Sequence, residues 1–276
     1  MNWKAIFTIA EKDIREASGN RAVWVPMIVV PAIFIVIMPL ALIIGAIAAP
    51  QATSSALNDP DLATFLQRMP AFMAEPLARM SGLQGMIWLM LGYFFAPFFL
   101  IIPLMFATVI AAESFAGERE RKTIEALLYT PASDAELFLG KVLAAGLPAV
   151  GISWACFLVY ALVVNIAAYP IMGGIWFPLP TWYALIFWVS PALSLLGISA
   201  TVLISSRNPT FMGAYQSSAS LVLLVVALLV GQATGVLYLS VGVGLALGLV
   251  IWLVAAGLTV VAVRTFNRAS LLTSVQ

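Results

Sequence analysis

The chain has 276 residues, of which 63% are hydrophobic and 9% are charged, and its mean hydropathy is +1.06. Soluble domains carry about 25% charged residues, so this composition excludes a soluble protein and indicates a polytopic membrane protein. The net charge of +1 argues against nucleic-acid binding, and the lack of histidine, with Cys156 as the single cysteine, removes His-ligated metals, Ser–His nucleophile pairs and a disulfide framework.

Residues 1–20 predict an amphipathic helix that lies in the inner membrane interface. Apolar side chains recur there at helical spacing, while the charged ones face elsewhere. The apolar positions are Trp3, Ile6, Phe7, Ala10 and Ile14. Gly19 and Asn20 then form a helix stop. An ordinary solvated leader and a cleaved signal peptide are the alternatives, although the apolar region that follows is too long for a signal peptide.

Six apolar segments are long enough to cross the bilayer, which takes roughly 20 residues of helix. They cover residues 23–49, 86–112, 142–168, 182–204, 212–230 and 236–263. We therefore predict an all-α polytopic membrane protein that forms a single transmembrane domain over residues 1–276. Because only residues 231–235 separate spans five and six, a re-entrant hairpin is the alternative for that pair.

Lysine and arginine predict the orientation, since basic residues collect in cytoplasmic segments. With both termini in the cytoplasm, eleven of the thirteen basic residues are cytoplasmic, and Arg68 and Arg79 lie outside. The protein is then a multi-pass protein of the cell (inner) membrane. Residues 50–85 form an exterior loop, in which Asp59-Pro60-Asp61 predicts a helix start, and residues 113–141 form a cytoplasmic loop.

The predicted spans hold ionisable residues only at their ends, whereas ion-coupled transporters usually keep such residues inside the membrane. Polar groups within the spans are mainly amides and hydroxyls. Four of them could line a translocation path for a neutral or amphipathic substrate: Asn165, Ser190, Ser194 and Gln216. Hydrogen bonding between helices is the alternative role for each. A GxxxG pattern in span six, Gly244 and Gly248, predicts close helix packing.

Residues 113–141 hold six of the twelve acidic residues and four of the thirteen basic ones. A membrane protein that gathers its charge into one internal loop is expected to meet a soluble partner there. We predict a short helix over residues 118–128 with one apolar and one charged side, and a capping box at Ser133 and Glu136 that begins the next helix. The loop lacks the glycine that precedes the lysine of a phosphate-binding loop, so we expect this chain to bind no ATP and no other cofactor itself.

Within this loop, GERERKTIEALLYTPASDAELFLGK resembles the cytoplasmic loop of type-2 ABC transporter permeases, the membrane subunits of ATP-driven exporters. That family has an acid near the end of span two, a GE-rich basic stretch, a T-x-E-x-L-L-x-T-P segment, and L-x-x-G-K at the start of span three. The matching residues are Glu113, Gly117, Glu118, Arg119, Lys122, Thr123, Glu125, Leu127, Leu128, Thr130, Pro131, Leu137, Gly140 and Lys141. The six-span layout extends the resemblance over the whole chain.

The resemblance implies that residues 118–128 form a coupling helix, on which two separate ATP-binding subunits push as they close around nucleotide. ATP and Mg²⁺ would bind to those partners, and a second permease copy or a paralogue would complete the transporter. The exterior loop places the chain nearer the sodium- and drug-exporter branch. The residues expected to couple are Glu113, Gly117, Glu118, Arg119, Arg121, Lys122, Thr123, Glu125, Leu127, Leu128, Thr130 and Pro131.

A stand-alone secondary carrier or channel is the main alternative function. An intramembrane enzyme is disfavoured, because the predicted spans offer no histidine and no internal Asp or Glu for acid–base chemistry. Substrate identity stays open, and the outward direction of transport is implied by the resemblance alone. On this view, charge reversal at Glu118 and Arg121 should uncouple ATP hydrolysis from transport and leave the spans inserted.

Overall fold

The structure is a computed structural model that describes residues 2–49, 60–121, 133–208 and 210–265. Every regular element within these ranges is a helix. An N-terminal helix, Trp3–Gly19, precedes six helices that are long and apolar enough to cross a membrane. These are span one (Val23–Ala48), span two (Gly82–Glu120), span three (Asp134–Met172), span four (Pro180–Ser205), span five (Phe211–Ala233) and span six (Val241–Arg264).

The six predicted spans are thus confirmed as helices of membrane-spanning length. Spans five and six have 23 and 24 residues. At 1.5 Å per residue each is about 35 Å long, enough to cross a hydrocarbon core of about 30 Å, which favours two full crossings over a re-entrant hairpin. Spans two and three have 39 residues each, so both extend well beyond the hydrocarbon core.

Spans two and four form the centre of the bundle. In the most apolar part of span two, 83% of the residues are buried inside the chain, and in that of span four 72% are. The corresponding share in the other spans is 17–28%. Span four packs against spans two, three, five and six. The outer spans therefore leave large apolar faces for lipid or for another membrane subunit.

The two ends of the bundle carry different connections. At one end, the Gln84 amide donates to the carbonyl of Ile171 at 2.8 Å, and Tyr238 packs on Phe65 of the loop between spans one and two. The N-terminal helix and residues 113–121 lie together at the other end, which we call the charged end. Among the described residues of the loop between spans one and two, one helix covers Pro60–Gln67, in agreement with the predicted start at Pro60, and another covers Ala71–Ala78.

A π-helical stretch in span two, Trp88–Phe94, provides hydrogen-bond acceptors for the surrounding spans. A π-helix breaks the regular α-helical hydrogen-bond ladder, and such freed backbone groups need partners inside a membrane. The carbonyls of Leu91, Gly92 and Tyr93 accept from side chains of three other spans. These donors are the Tyr160 hydroxyl at 2.7 Å, the Trp182 indole at 2.6 Å and the Gln232 amide at 2.7 Å. This stretch therefore joins span two to spans three, four and five.

The predicted GxxxG seam packs span six against span four. A Cβ on Gly248 would come within 2.6 Å of Trp188 Nε1, which donates to the carbonyl of Leu245 at 3.1 Å. We expect Gly248→Ala to displace the indole and lower the free energy of unfolding by about 1–3 kcal/mol, the usual cost of overpacking. Thermal unfolding in detergent measures this. Gly257→Ala is the matched control, because nothing lies within 4 Å of its added Cβ. Equal melting temperatures for the two variants would contradict the seam.

Candidate functional site

The charged end of span two, residues 113–121, is a helical continuation of the span. A π-helical turn, Glu113–Gly117, leads into Glu118–Glu120 with helical backbone angles at the junction. Three of its polar side chains are buried although they lie at the end of a membrane helix: Glu113, Ser114 and Glu118. Burying a charge costs free energy unless it is paired, so the partners of these groups define the site.

Lys141, at the start of span three, is the central cation of this site. Its ammonium lies 3.0 Å from Asp13 Oδ2 of the N-terminal helix and 2.6 Å from Glu118 Oε2 of span two. It also donates to the carbonyl of Ser114 at 2.7 Å, while the Ser114 hydroxyl donates to Asp13. The side chains of Asp13, Glu118 and Lys141 are at most 3% exposed. One buried ammonium therefore bridges three helices.

Lys12 neutralises the carboxylate of Glu118. Its ammonium binds Glu118 Oε1 at 2.6 Å and also approaches Asp13 and Glu16. Partial burial lowers the pKa of Lys12, but the hydrogen bond and the charge of Glu118 outweigh this and hold the pKa above its usual value. Lys12 is therefore cationic at physiological pH. With Lys141 beside Asp13 and both lysines beside Glu118, each of the two buried carboxylates has a cationic partner.

A second ion pair lies beside the first. Arg121 donates to Glu113 Oε1 at 2.6 Å, and Glu113 Oε2 accepts from the side chain of Asn20 at 3.2 Å. Partial burial lowers the pKa of Arg121, but Glu113 more than offsets this and raises it. A Cβ at Gly117 would lie 2.8 Å from Glu113 Oε2, so any larger residue here would displace this carboxylate. Because Asn20 directly precedes span one, this pair joins spans one and two.

The predicted capping box at the start of span three is confirmed. The Ser133 hydroxyl accepts from the backbone of Glu136, and Glu136 accepts from the backbone of Ser133 at 2.9 Å. Glu136 also accepts from the backbone N–H of Asn2 at 2.5 Å, and Asn2 is the N-cap of the N-terminal helix. The start of this helix is therefore fastened to the start of span three.

Residues 113–121 also hold the connection between spans four and five. The Arg119 guanidinium donates to the carbonyl of Ser205 at 2.9 Å. Glu120 accepts from the backbone N–H of Phe211, at the start of span five, at 2.8 Å. The charged end of span two thus contacts the N-terminal helix, span three and the span four–five connection at once.

The carboxylates of Asp13, Glu16 and Glu118 lie within 4.8 Å of one another, a spacing that could hold a cation. Lys12 and Lys141 already bind oxygens of this group. The donor set therefore fits an ion-pair network better than a metal site.

A family model described as "ABC-2 family transporter protein" matches residues 7–246. The chain belongs to the ABC-2 transporter family. It is a membrane permease of an ABC transporter, a transport subunit that is not itself catalytic. No curated protein matches the chain, and no solved structure matches it.

In this ABC-2 permease, the structure brings five of the predicted coupling residues together at the charged end of span two: Glu113, Gly117, Glu118, Arg119 and Arg121. The helix predicted to begin at Glu118 is, as far as Glu120, the continuation of span two. Glu118 is fully buried rather than on an exposed charged side. The remaining predicted coupling residues lie outside the described residues: Lys122, Thr123, Glu125, Leu127, Leu128, Thr130 and Pro131.

Sequence reasoning did not single out Asp13, although the sequence holds a signal for it. The buried face of the N-terminal helix is Ile6, Ala10, Asp13 and Ala17. These positions follow the i, i+4, i+7, i+11 spacing of one helix face. An acid in an apolar stripe needs a buried partner, and Lys141 is that partner.

The four candidate path residues have different surroundings in the structure. Ser190 exchanges a hydrogen bond with Ser153 at 3.1 Å, and Ser194 donates to the carbonyl of Ser190. Asn165 lies in span three and binds the connection to span four, and Gln216 is exposed on span five. The two serines and Asn165 therefore make the hydrogen bonds expected of packing residues, and Gln216 alone faces outward.

Asn165 holds the connection between spans three and four. Its amide oxygen accepts from the backbones of Trp176 and Phe177 at 3.0 and 3.2 Å, and its amide nitrogen donates to the carbonyl of Phe177 at 2.8 Å. Asn165→Ala leaves these groups unpaired at about 1–3 kcal/mol each, so we expect a clear drop in melting temperature. Gln216→Ala, at an exposed position of span five, is the control. If only Gln216→Ala lowered the melting temperature, this role of Asn165 would be refuted.

Proposed function

We propose that this chain is the permease of an ATP-driven exporter, powered by a separate ATP-binding subunit that docks at residues 113–141. The observation that carries the proposal is the set of contacts at the charged end of span two. The resemblance of the loop that follows to the coupling loop of type-2 permeases supports a docking site for the partner beside these contacts. A displacement there would reach the N-terminal helix, span three and the span four–five connection through these direct contacts.

The substrate path and the second subunit are proposed from span five. Gln216, Ser217 and Ser220 are exposed on this span, and hydrogen bonds of the tighter i→i+3 type interrupt it around Ser220 and Leu221. Polar side chains and a broken helix are unfavourable against lipid but suit a protein-lined cavity. We therefore propose that a second permease copy or a paralogue covers this face, and that Gln216 borders the path.

The direction of transport, the binding of ATP to the partner and the orientation of the termini are proposed from the same resemblance. Transport is outward, ATP and Mg²⁺ bind to the partner, and both termini of the permease are cytoplasmic, in agreement with the basic residues of the sequence. The sodium- and drug-exporter branch is the proposed subdivision. It suggests sodium ions and hydrophobic cations as the first substrates to assay.

Arg121→Glu tests the coupling role. The Arg121 side chain is 43% exposed, so its reversal changes the surface that we propose to face the partner as well as the ion pair with Glu113. We expect transport per ATP hydrolysed to fall by about tenfold or more, within the usual range of coupling between sites, while the ATP-binding subunit still hydrolyses ATP. Radioactive sodium and ethidium uptake into inside-out vesicles, measured together with hydrolysis, gives this ratio.

The matched control is Arg15→Glu. Arg15 is 79% exposed on the N-terminal helix and pairs with Glu11 one turn away. Its reversal should leave the ratio of transport to hydrolysis unchanged. Full coupled transport by the Arg121 variant would refute the coupling role of residues 113–121.

A further inference from the structure

The N-terminal helix packs against the start of span three with very little space between them. A Cβ on Gly140 would lie 2.9 Å from Ile9 Cβ and 3.1 Å from the backbone oxygen of Ile6. Only a glycine therefore allows the two helices to approach this closely. Apolar contact alone fixes the distance between two helices but lets them slide or rotate against each other. The contact that prevents sliding must therefore be directional.

The directional contacts come from Asp13 and Lys141. The Lys141 ammonium binds one carboxylate from the N-terminal helix and one from span two. Any other placement of these helices would leave one of the buried charges unpaired. The backbone of Asn2 is held by Glu136 at the opposite end of the same contact. Two polar attachments, one at each end of a tight apolar seam, define both the register and the rotation of the helix.

We propose that Asp13 and Lys141 are positioning residues that lock the N-terminal helix to residues 113–121 of span two and to the start of span three. The three elements then move as one rigid block when the partner acts on residues 113–141, a step that rests on the proposed function. Because the N-terminal helix leads through Asn20 into span one, the block passes the motion to span one directly. Asn20 itself is bound to Glu113 of the block.

A disulfide across the seam tests the absence of sliding. Cys156→Ser removes the single native cysteine, and Ile9→Cys with Gly140→Cys places two sulfurs at the seam. The Cβ separation there is 2.9 Å, whereas a disulfide prefers about 3.8 Å, so forming the bond requires the two helices to move apart by roughly 1 Å. In the complex with its ATP-binding subunit, we expect the oxidised protein to hydrolyse ATP within about twofold of the reduced protein, since twofold is below the usual scale of coupling effects. Hydrolysis that stops on oxidation and returns with reductant would overturn the rigid block.

A pair of spin labels at Thr8 and Ala135, both exposed, tests the role of the charges. With the native network, the distance between the labels should be the same without nucleotide and after trapping with ATP and vanadate. Asp13→Asn keeps the shape but removes the charge, and we expect it to broaden the distance distribution and to make it depend on nucleotide. Equal distributions for the native chain and the Asp13 variant would show that the charges do not lock the helix.

The two proposals can fail separately. The label distances of the isolated chain report the lock even if no ATP-binding subunit exists. A narrow native distribution that Asp13→Asn broadens would support the lock while the proposed function fails. A broad native distribution in a functional complex would refute the lock and leave the proposed function intact.

Discussion

Replacing Lys141 with methionine is expected to lower the free energy of unfolding by about 3–5 kcal/mol, the cost of breaking a buried ion pair by removing one partner. The carboxylates of Asp13 and Glu118 would remain, at 1% exposure each, and Lys12 can reach only part of their oxygens. The Ser114 carbonyl would also lose its donor. Thermal unfolding of the purified protein in mild detergent, followed by intrinsic tryptophan fluorescence, measures the loss.

Two further variants make this result specific. Lys4→Met changes an exposed lysine of the N-terminal helix and should alter the free energy of unfolding by less than about 0.5 kcal/mol, as exposed substitutions usually do. Combining Asp13→Leu and Glu118→Leu with Lys141→Met removes the three buried charges that meet at Lys141, and it should recover most of the lost stability. If the triple variant were less stable than Lys141→Met, the buried charges would not be the source of the effect.

Charge reversal at Glu118 is expected to prevent accumulation of the folded permease rather than to uncouple it. Glu118→Lys would place a third cation against Lys12 and Lys141, both of which lie 2.6 Å from its carboxylate oxygens. Like charges at this distance in a buried site repel strongly and cannot be solvated. Size-exclusion profiles of membrane-extracted protein should show little monodisperse material.

The reversed pair separates charge pairing from other roles of Glu118. Glu118→Lys combined with Lys141→Glu restores one opposite-charge contact, although it leaves Asp13 facing a carboxylate. We expect the double variant to yield more monodisperse protein than Glu118→Lys alone. If Glu118→Lys alone accumulated like the native chain, Glu118 would not be buried among cations.

The sequence predicted those parts of the fold that depend on local patterns. Long apolar stretches gave the six spans, because the length required to cross a bilayer is a property of each segment by itself. The capping box of Ser133 and Glu136 and the helix start at Pro60 were predicted for the same reason, since caps act over three or four residues. The GxxxG seam was predicted from small residues that allow close approach.

The contacts of the candidate site depended on tertiary structure. Glu118 was expected on a charged face because its neighbours in sequence are charged, but its partners, Lys12 and Lys141, are 106 and 23 residues away. The role of Asn165 could not be separated from that of a path residue, because the backbone groups it binds become neighbours only when the connection folds. The π-helical turn Glu113–Gly117 has no simple sequence signal, yet it helps to orient Glu113 and Ser114.

The central claim is that a separate ATP-binding subunit powers this ABC-2 permease. Affinity purification of the chain from its native membrane in mild detergent, with mass spectrometry and an ATPase assay of the eluate, tests it most directly. We predict a stoichiometric soluble subunit with a phosphate-binding loop, and ATP hydrolysis that is lost when this subunit is removed. A pure permease with no such partner and no hydrolysis would contradict the account and favour a stand-alone carrier or channel.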